Sequence, residues 1–306
     1  MTQQTAVPRV GIVLVNWNKA ADTVACLESR GRLDYDPFEV VVVDNASTDG
    51  SPATIRRHFP EIALIENSGN LGFAAGNNVG VRYLMDRGVD YVLLLNNDTE
   101  VAPNLVRSLI DVSERDPGIG IVGPKILYYQ PDDLIWSAGG LIDHLGRSSH
   151  LHFDEVDSGV DQRPRDVDYV TGCALLIRRS VIEKVGVLDE RFFMYYEEAE
   201  WCARVRAAGY RVVYVPEARM WHKIQQSARN NSRQYLYLMT RNRLLYLRCT
   251  HASAAKTTAA CLDVLRTSAA WTLKRKHREA RPLAGALVHG VWDGLLGRFG
   301  APPARL

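Results

Sequence analysis

Apolar residues fall in short unbroken runs through the first 125 positions of the chain. The runs are 10–15 (VGIVLV), 39–44 (EVVVVD), 62–66 (IALIE), 91–96 (YVLLLN) and 119–124 (IGIVGP). Continuous apolar runs without alternation predict parallel strands covered on both faces. Between them, helical spacing predicts helices near 19–30, 50–58, 73–87 and 103–114. Such alternation predicts a doubly wound, mainly parallel α/β sheet of Rossmann-like type with right-handed crossovers. Ligands of these sheets sit beyond the carboxyl ends of the strands. There the chain is polar each time: Asn16-Trp17-Asn18, Asp44-Asn45, the segment 67–70, and Asn96-Asn97-Asp98.

The second half is less regular. Residues 128–168 mix turns and isolated charges, which predicts loops and short antiparallel strands. A buried strand and a short helix are expected over 169–186, and a further strand over 210–216. Between these, 197–209 predicts a helix with an acidic first turn, basic later turns and a Gly stop, in keeping with the helix dipole. From about Ser232 the pattern is helical almost to the end. Two regions are therefore expected, an α/β catalytic domain over 1–232 and a helical extension over 233–306.

Charge sharpens that division. The formal net charge is +2, but residues 1–232 carry 24 Lys/Arg against 32 Asp/Glu, while 233–306 carry 13 against 3. An extension of net +10 is of the kind that meets anionic partners: a membrane surface, nucleic acid, or the acidic body of its own protein. Tyr235, Leu236, Leu238, Leu244, Leu245 and Leu247 lie among its arginines, and Trp271 and Leu273 precede the basic run 274–278 (KRKHR). Peripheral membrane contact and simple packing on the domain both fit. No nucleic-acid partner is expected, and a homodimer is compatible with the chain. No run approaches the roughly 18 apolar residues of a membrane span. The polar residues 1–9 lack a signal-peptide core, so a cytoplasmic location is expected, at most against the inner face of the membrane. The five cysteines are scattered without a CxxC pair and are expected to be reduced thiols.

Several stretches carry candidate chemistry, each beside a plain structural explanation. In 40–51 (VVVVDNASTDGS) the residues from Ser47 onward suit a turn and helix cap, but Asp44 closes the strand itself and can accept a hydrogen bond from a base or ribose. The glycines of 67–80 (NSGNLGFAAGNNVG) permit close backbone approach before a helix whose free N–H groups suit phosphate, although the spacing is neither GxGxxG nor a P-loop. In 96–100 (NNDTE) a polar turn competes with a divalent metal held by Asp98, since Mg²⁺ and Mn²⁺ take one or two protein carboxylates when phosphate supplies the rest. Glu197 and Glu198 stand beside aromatics about 100° apart on a helix, which favours one of them as a general base while the other caps or pairs. A solvated acidic turn suits Glu200 and Glu197. His222 is a structural histidine, or a ligand where Asp98 holds a metal.

Taken in order, VLVNWN, VVVDNASTDGS, NSGNLGFAAGNNVG, LLLNNDTEV, YVTGCALLIRRSVIEKVG with the following LDERFFMYYEEAEWCAR, and WHK resemble the family 2 glycosyltransferases with the GT-A fold. They look closest to its rhamnosyltransferase and galactofuranosyltransferase branch, over roughly residues 9–245. The resemblance implies inverting transfer of a sugar from a dTDP- or UDP-linked donor, with dTDP-rhamnose favoured, to a saccharide or lipid-linked acceptor in cell-surface polysaccharide synthesis. It implies that Asn16, Asn18, Asp44, Asn45, Asn70, Gly72, Asn77, Asn96 and Asn97 surround the donor nucleotide. Asp98 matches the last carboxylate of the family's Asp-x-Asp motif, and His222 a second ligand, for Mg²⁺ or Mn²⁺. Glu198 takes the place of the catalytic base, with Thr171, Gly172, Cys173, Glu197 and Trp201 facing donor sugar and acceptor. Two positions depart from the pattern: Asn96 opens the metal motif, and the base is Glu where many relatives have Asp. The rival functions are a nucleotidyltransferase, although NWNKAADT stands in place of a Gly-rich basic loop, and a non-catalytic nucleotide-sugar-binding protein.

Overall fold

A computed structural model describes residues 6–159, 162–223, 232–274, 277 and 279–303. The first half alternates β1 (Val10–Asn16), α1 (Ala20–Arg30), β2 (Phe38–Asp44), α2 (Ser51–His58), β3 (Ala63–Glu66), α3 (Gly72–Asp86) and β4 (Tyr91–Asn96). After the short β5 (Thr99–Val101) come α4 (Leu105–Arg115) and β6 (Ile119–Tyr128). Strands β1, β2, β3 and β4 are parallel, as their unbroken apolar runs require. Register places Asn16 beside Asp44 and Val15 beside Asn96, so the polar strand ends share one edge. Helix α3 lies close on this sheet because Gly80 faces Val13, where a Cβ would stand 2.4 Å from the valine Cγ1.

The irregular middle supplies β7 (Ile135–Ser137), β8 (Gly140–Ile142), β9 (Ser148–His150) and β10 (Arg165–Asp166). It is followed by β11 (Ala174–Arg178), α5 (Arg179–Val185), α6 (Glu197–Ala207) and β12 (Arg211–His222). The main sheet runs β10-β12-β6-β11-β4-β1-β2-β3, with β5 added to β12 and β7 to β6. Two departures from a simple parallel sheet build the site. Strand β11 enters antiparallel between β4 and β6, which brings the residues before it to the carboxyl end of β4. Strand β12 runs past the expected stop at Pro216: its ladder with β6 breaks between Val215 and Arg219, around a proline that has no N–H to donate, and resumes as far as His222.

Helices α7 (Arg233–Cys249), α8 (Ala254–Leu273) and α9 (Ala284–Leu296) close the chain. They share the core of the α/β region. Leu244, Leu245 and Leu247 of α7 pack in one cluster with Trp201, Cys202 and Tyr214, joined by Val264 of α8 and Val291 of α9. The leucines of α7 therefore face inward; they are not a membrane face. Two of its arginines are also engaged. Arg241 is buried, and Arg243 pairs with Asp263 at 3.0 Å. Of the basic run 274–278, residues 275, 276 and 278 lie outside the described residues. Among the described residues no helix is long and apolar enough to cross a membrane.

Candidate active site

At the tips of β1 and β2 the polar residues bond one another. Asn16 is buried and donates Nδ2 to Asp44 Oδ1 at 2.6 Å, and Thr23 Oγ1 donates to Asn16 Oδ1 at 2.7 Å. Asp44 also takes the Ser47 hydroxyl and amide at 2.7 and 2.8 Å, which fixes the turn toward α2. Asn45 donates to the Gly72 carbonyl at 2.9 Å and accepts from Asn67 at 2.8 Å. Asn18 Oδ1 receives the Thr48 amide, Asn70 Oδ1 receives the Gly72 amide, and Asn77 donates to the Phe73 carbonyl. Asn97 belongs to the same network, donating to Thr23 Oγ1 at 2.8 Å. These residues form a satisfied scaffold, since desolvating polar groups without partners would cost about 1–3 kcal/mol each.

Beside this scaffold opens a cavity of about 520 Å³. Asn96 and Asp98 line it from the end of β4, and Thr171, Gly172 and Cys173 from the approach to β11, with the Asn96 amide donating to the Cys173 carbonyl at 2.9 Å. Because β5 pairs antiparallel with the end of β12, His222 lies opposite Thr99, and its Nε2 comes within 3.0 Å of Asp98 Oδ1. Burial pushes the Asp98 carboxyl up, but the hydrogen bond and charge of His222 outweigh burial and hold it below the usual range. The other ring nitrogen of His222 is buried without a partner among the described residues. No group of three or more His, Cys, Asp or Glu is placed to hold a metal among those residues. One carboxylate and one imidazole at the cavity wall fit a divalent ion that takes its remaining oxygens from phosphate.

The opposite wall is the first turn of α6. Glu197, Glu198 and Ala199 all line the cavity at the start of the helix. The solvated acidic turn expected for Glu200 and Glu197 does not form: Glu197 is 3% exposed, and Glu200, at 4%, pairs with Arg204 at 2.7 Å. Glu197 and Glu198 each keep a buried carboxylate oxygen without a partner among the described residues. Burial lifts the Glu198 carboxyl to about 7. Burial and the neighbouring Glu198 lift Glu197 well above the usual range. Gly172 lets the two walls meet, since a Cβ there would stand 3.0 Å from the Phe73 ring and 3.7 Å from Glu198 Cβ.

The turn that delivers these acids is strained. Phe193, Tyr195 and Tyr196 have φ of 64°, 72° and 73°. Left-handed backbone costs an L-residue roughly 1–2 kcal/mol. The Phe193 carbonyl accepts from the Phe73 and Ala74 amides at 2.7 and 3.1 Å, which ties the turn to the start of α3.

Trp201 lies elsewhere than expected. It is fully buried, donating Nε1 to the Gly186 carbonyl at 2.8 Å, because α6 turns that face into the core. Cys173 reaches the wall as a buried thiol whose pKa burial raises well above the usual value, so it packs rather than reacts. Sequence reasoning missed Lys19, Trp136, His150, Lys223 and Tyr235, all on the cavity wall. Trp136 lies against His150 at 4.7 Å with the rings tilted by 41°, and meets His222 edge-on at 4.9 Å. Burial, then the charge of His222, lowers His150 to about 4 and keeps it neutral. Lys223 had a signal, standing next to His222; Trp136 and His150 sit in the irregular middle, where no periodicity marks them.

The family profile for glycosyl transferase family 2 matches residues 11–186. The chain belongs to that family. This family 2 transferase is 26% identical over 261 residues to the N-acetylglucosaminyl-diphospho-decaprenol L-rhamnosyltransferase of Mycobacterium tuberculosis, covering 79% of this chain and 84% of that one. It is 31% identical over 257 residues to the low-salt glycan biosynthesis hexosyltransferase Agl10 of Haloferax volcanii, covering 79% and 76%. Among solved structures, a Pyrobaculum calidifontis mannosyltransferase in complex with GDP-Man and Mn²⁺ superposes with a TM-score of 0.58 at 18% identity, over 96% of this chain and 89% of that one. Staphylococcus aureus TarS in complex with UDP-GlcNAc gives 0.59 at 14% identity, over 92% and 81%. The GT-A fold expected from the sequence is thus the fold of the transferase.

Proposed function

We propose that the chain is an inverting, metal-dependent rhamnosyltransferase that moves the sugar of dTDP-rhamnose onto a polyprenyl-diphosphate-linked saccharide in cell-surface polysaccharide synthesis. The observation that carries this reading is one cavity with Asp98 and His222 on one wall and a burial-raised carboxyl pair on the other. The choice of sugar and acceptor rests on the Mycobacterium tuberculosis relative and on a Shigella flexneri relative named as a dTDP-rhamnosyl transferase, 25% identical over 185 residues and covering 60% of each chain. Asp98 and His222 would hold Mg²⁺ or Mn²⁺, which as a Lewis acid neutralises charge on the leaving diphosphate. Lys19 and Lys223 also line the cavity, paired with Asp22 at 3.5 Å and Glu100 at 3.0 Å. Burial raises both carboxyls, and the charge of Glu198 raises Glu197 further, so the two act as one coupled acid pair in the cavity. Glu198 takes the proton of the acceptor hydroxyl as that oxygen bonds to the anomeric carbon and the bond to diphosphate breaks.

The test is transfer by the purified chain from dTDP-rhamnose, UDP-galactose or UDP-N-acetylglucosamine to a polyprenyl-diphosphate N-acetylglucosamine acceptor. Rhamnose transfer abolished by EDTA and restored by Mn²⁺ is the expected result. Full turnover in EDTA removes the metal from the mechanism, and transfer from a UDP-sugar alone overturns the donor.

The acceptor's lipid gives the extension a role. Leu262, Leu273, Val288, Trp292, Leu295 and Leu296 are exposed on α8 and α9, in a region of net charge +10. An apolar face with a Trp and surplus positive charge suits an anionic membrane surface. Sedimentation with phosphatidylglycerol vesicles, weakened in a Trp292→Ser/Leu296→Ser variant and absent with phosphatidylcholine, is expected; equal sedimentation of parent and variant counts against this face.

A further inference from the structure

Four consecutive carbonyls precede the acid pair, and all four are held from outside the turn. Phe193 is bound by the start of α3, as described above. The carboxamide of Asn242 binds the other three, its Nδ2 standing 2.9 Å from the Phe192 oxygen, 2.8 Å from Met194 and 2.8 Å from Tyr195. Asn242 is completely buried on α7, and its own oxygen accepts Arg241 Nε at 3.0 Å, which fixes the amide orientation. Arg241 in turn donates to the Phe192 carbonyl at 3.3 Å. Phe193, Met194 and Tyr195 pack against Tyr237 and Leu238 of α7 and Ala286 of α9. Tyr195 also meets Tyr235 edge-on at 5.1 Å.

We propose that Asn242 is a positioning residue for the reaction: it holds the 192–195 turn in its left-handed conformation and so sets where Glu197 and Glu198 enter the cavity. Carbonyls of extended backbone point alternately outward and cannot converge on one donor group. Here the positive φ of Phe193 and Tyr195 breaks that alternation, three of the four carbonyls converge, and a two-proton donor must sit at the focus. Asparagine supplies it; aspartate of the same shape has no proton to give and sets a carboxylate against three carbonyl oxygens. The helical extension is then part of the active site, through a residue that touches neither donor nor acceptor. The role of Glu198 in this inference rests on the function proposed above.

The test compares Asn242→Asp and the milder Asn242→Ser with Glu198→Gln in the full chain. Displacing a reacting group by about 1 Å costs on the order of 100-fold in rate. Asn242→Asp is therefore expected to lower kcat about 100-fold, with the donor KM and the affinity for dTDP and UDP within about threefold, and Asn242→Ser to fall between it and the parent. Amide hydrogen exchange over 192–198 should quicken in both variants, with exchange in β1, β2 and β4 unchanged. A folded Asn242→Asp with parental kcat and parental exchange in the turn overturns the proposal. So does a variant that loses thermal stability while its folded fraction keeps parental kcat. Retained activity in Glu198→Gln would instead refute the base; the hold on the turn is then decided by exchange at 192–198 alone.

Discussion

The tips of β1 and β2 and the first turn of α6 lie on the same side of the sheet, yet they are built on opposite principles. At the strand tips, Asn16, Asp44, Asn45 and Thr23 satisfy one another in short hydrogen bonds and are nearly inaccessible. At the turn, Glu197 and Glu198 keep buried oxygens unpaired, and they follow Phe193, Tyr195 and Tyr196, whose backbone L-residues rarely adopt. A satisfied polar cluster adds stability and fixes geometry; an unsatisfied acid pair costs stability and leaves a proton acceptor ready. The difference separates groups that shape the site from groups that react in it.

Breaking the unsatisfied side should have the largest effect. Glu198→Gln removes the proton acceptor and keeps the shape, so kcat should fall by roughly 10²–10⁴, the usual contribution of a general base. Calorimetric affinity for dTDP should change less than about threefold; lost affinity in a folded variant would move Glu198 from the proton transfer to donor binding. Asp98→Asn comes next. Without its carboxylate the wall keeps His222 but loses most of its hold on a cation, and kcat/KM at saturating Mn²⁺ should fall about 100-fold. A variant with parental response to Mn²⁺ titration would exclude Asp98 as a ligand.

The same contrast explains what was legible in the sequence. Parallel strands and their polar tips were readable because two-sided burial writes unbroken apolar runs, and the run 91–96 led directly to Asp98. The link from Asp98 to His222 was reached only through the family resemblance, because its geometry depends on β5 pairing with the far end of β12, 124 residues away. The acid pair was visible as residue types, but both acids line the cavity where one was expected to. Helix geometry gives angles about an axis, while three successive residues at the start of α6 line one cavity. Trp201 failed for a related reason: a motif position carries no information on which face of α6 enters the core. Asn242 stood in a run of helical polar residues whose partners, three carbonyls in another segment, have no pattern in sequence.

Breaking the satisfied side should give the reverse signature. Thr23 Oγ1 donates to Asn16, lies 3.0 Å from the Lys19 carbonyl, and accepts from Asn97, joining α1 to the ends of β1 and β4. Thr23→Val keeps the shape and strands those partners, so urea unfolding should show a loss of about 1–3 kcal/mol. Turnover at saturating donor should stay within about threefold. A large fall in kcat with unchanged stability would make the scaffold a reacting part and erase the contrast.

The smallest expected effect tests the cost of the acid pair itself. Burial raises the Glu198 carboxyl from 4.5 to about 7. Between those values the folded chain holds a proton that the unfolded chain has released, so parental stability falls as pH rises through this window and stays lower above it. A glutamine side chain at this position does not titrate. Glu198→Gln should therefore match the parent in melting temperature below about pH 4.5 and exceed it by on the order of a few degrees above pH 7. Thr23→Val should show no such pH-dependent gain, because it removes no ionisable group. An equal melting difference for Glu198→Gln at pH 5 and pH 8 would mean that Glu198 is solvated in solution, and the unpaired oxygen would lose its claim to readiness.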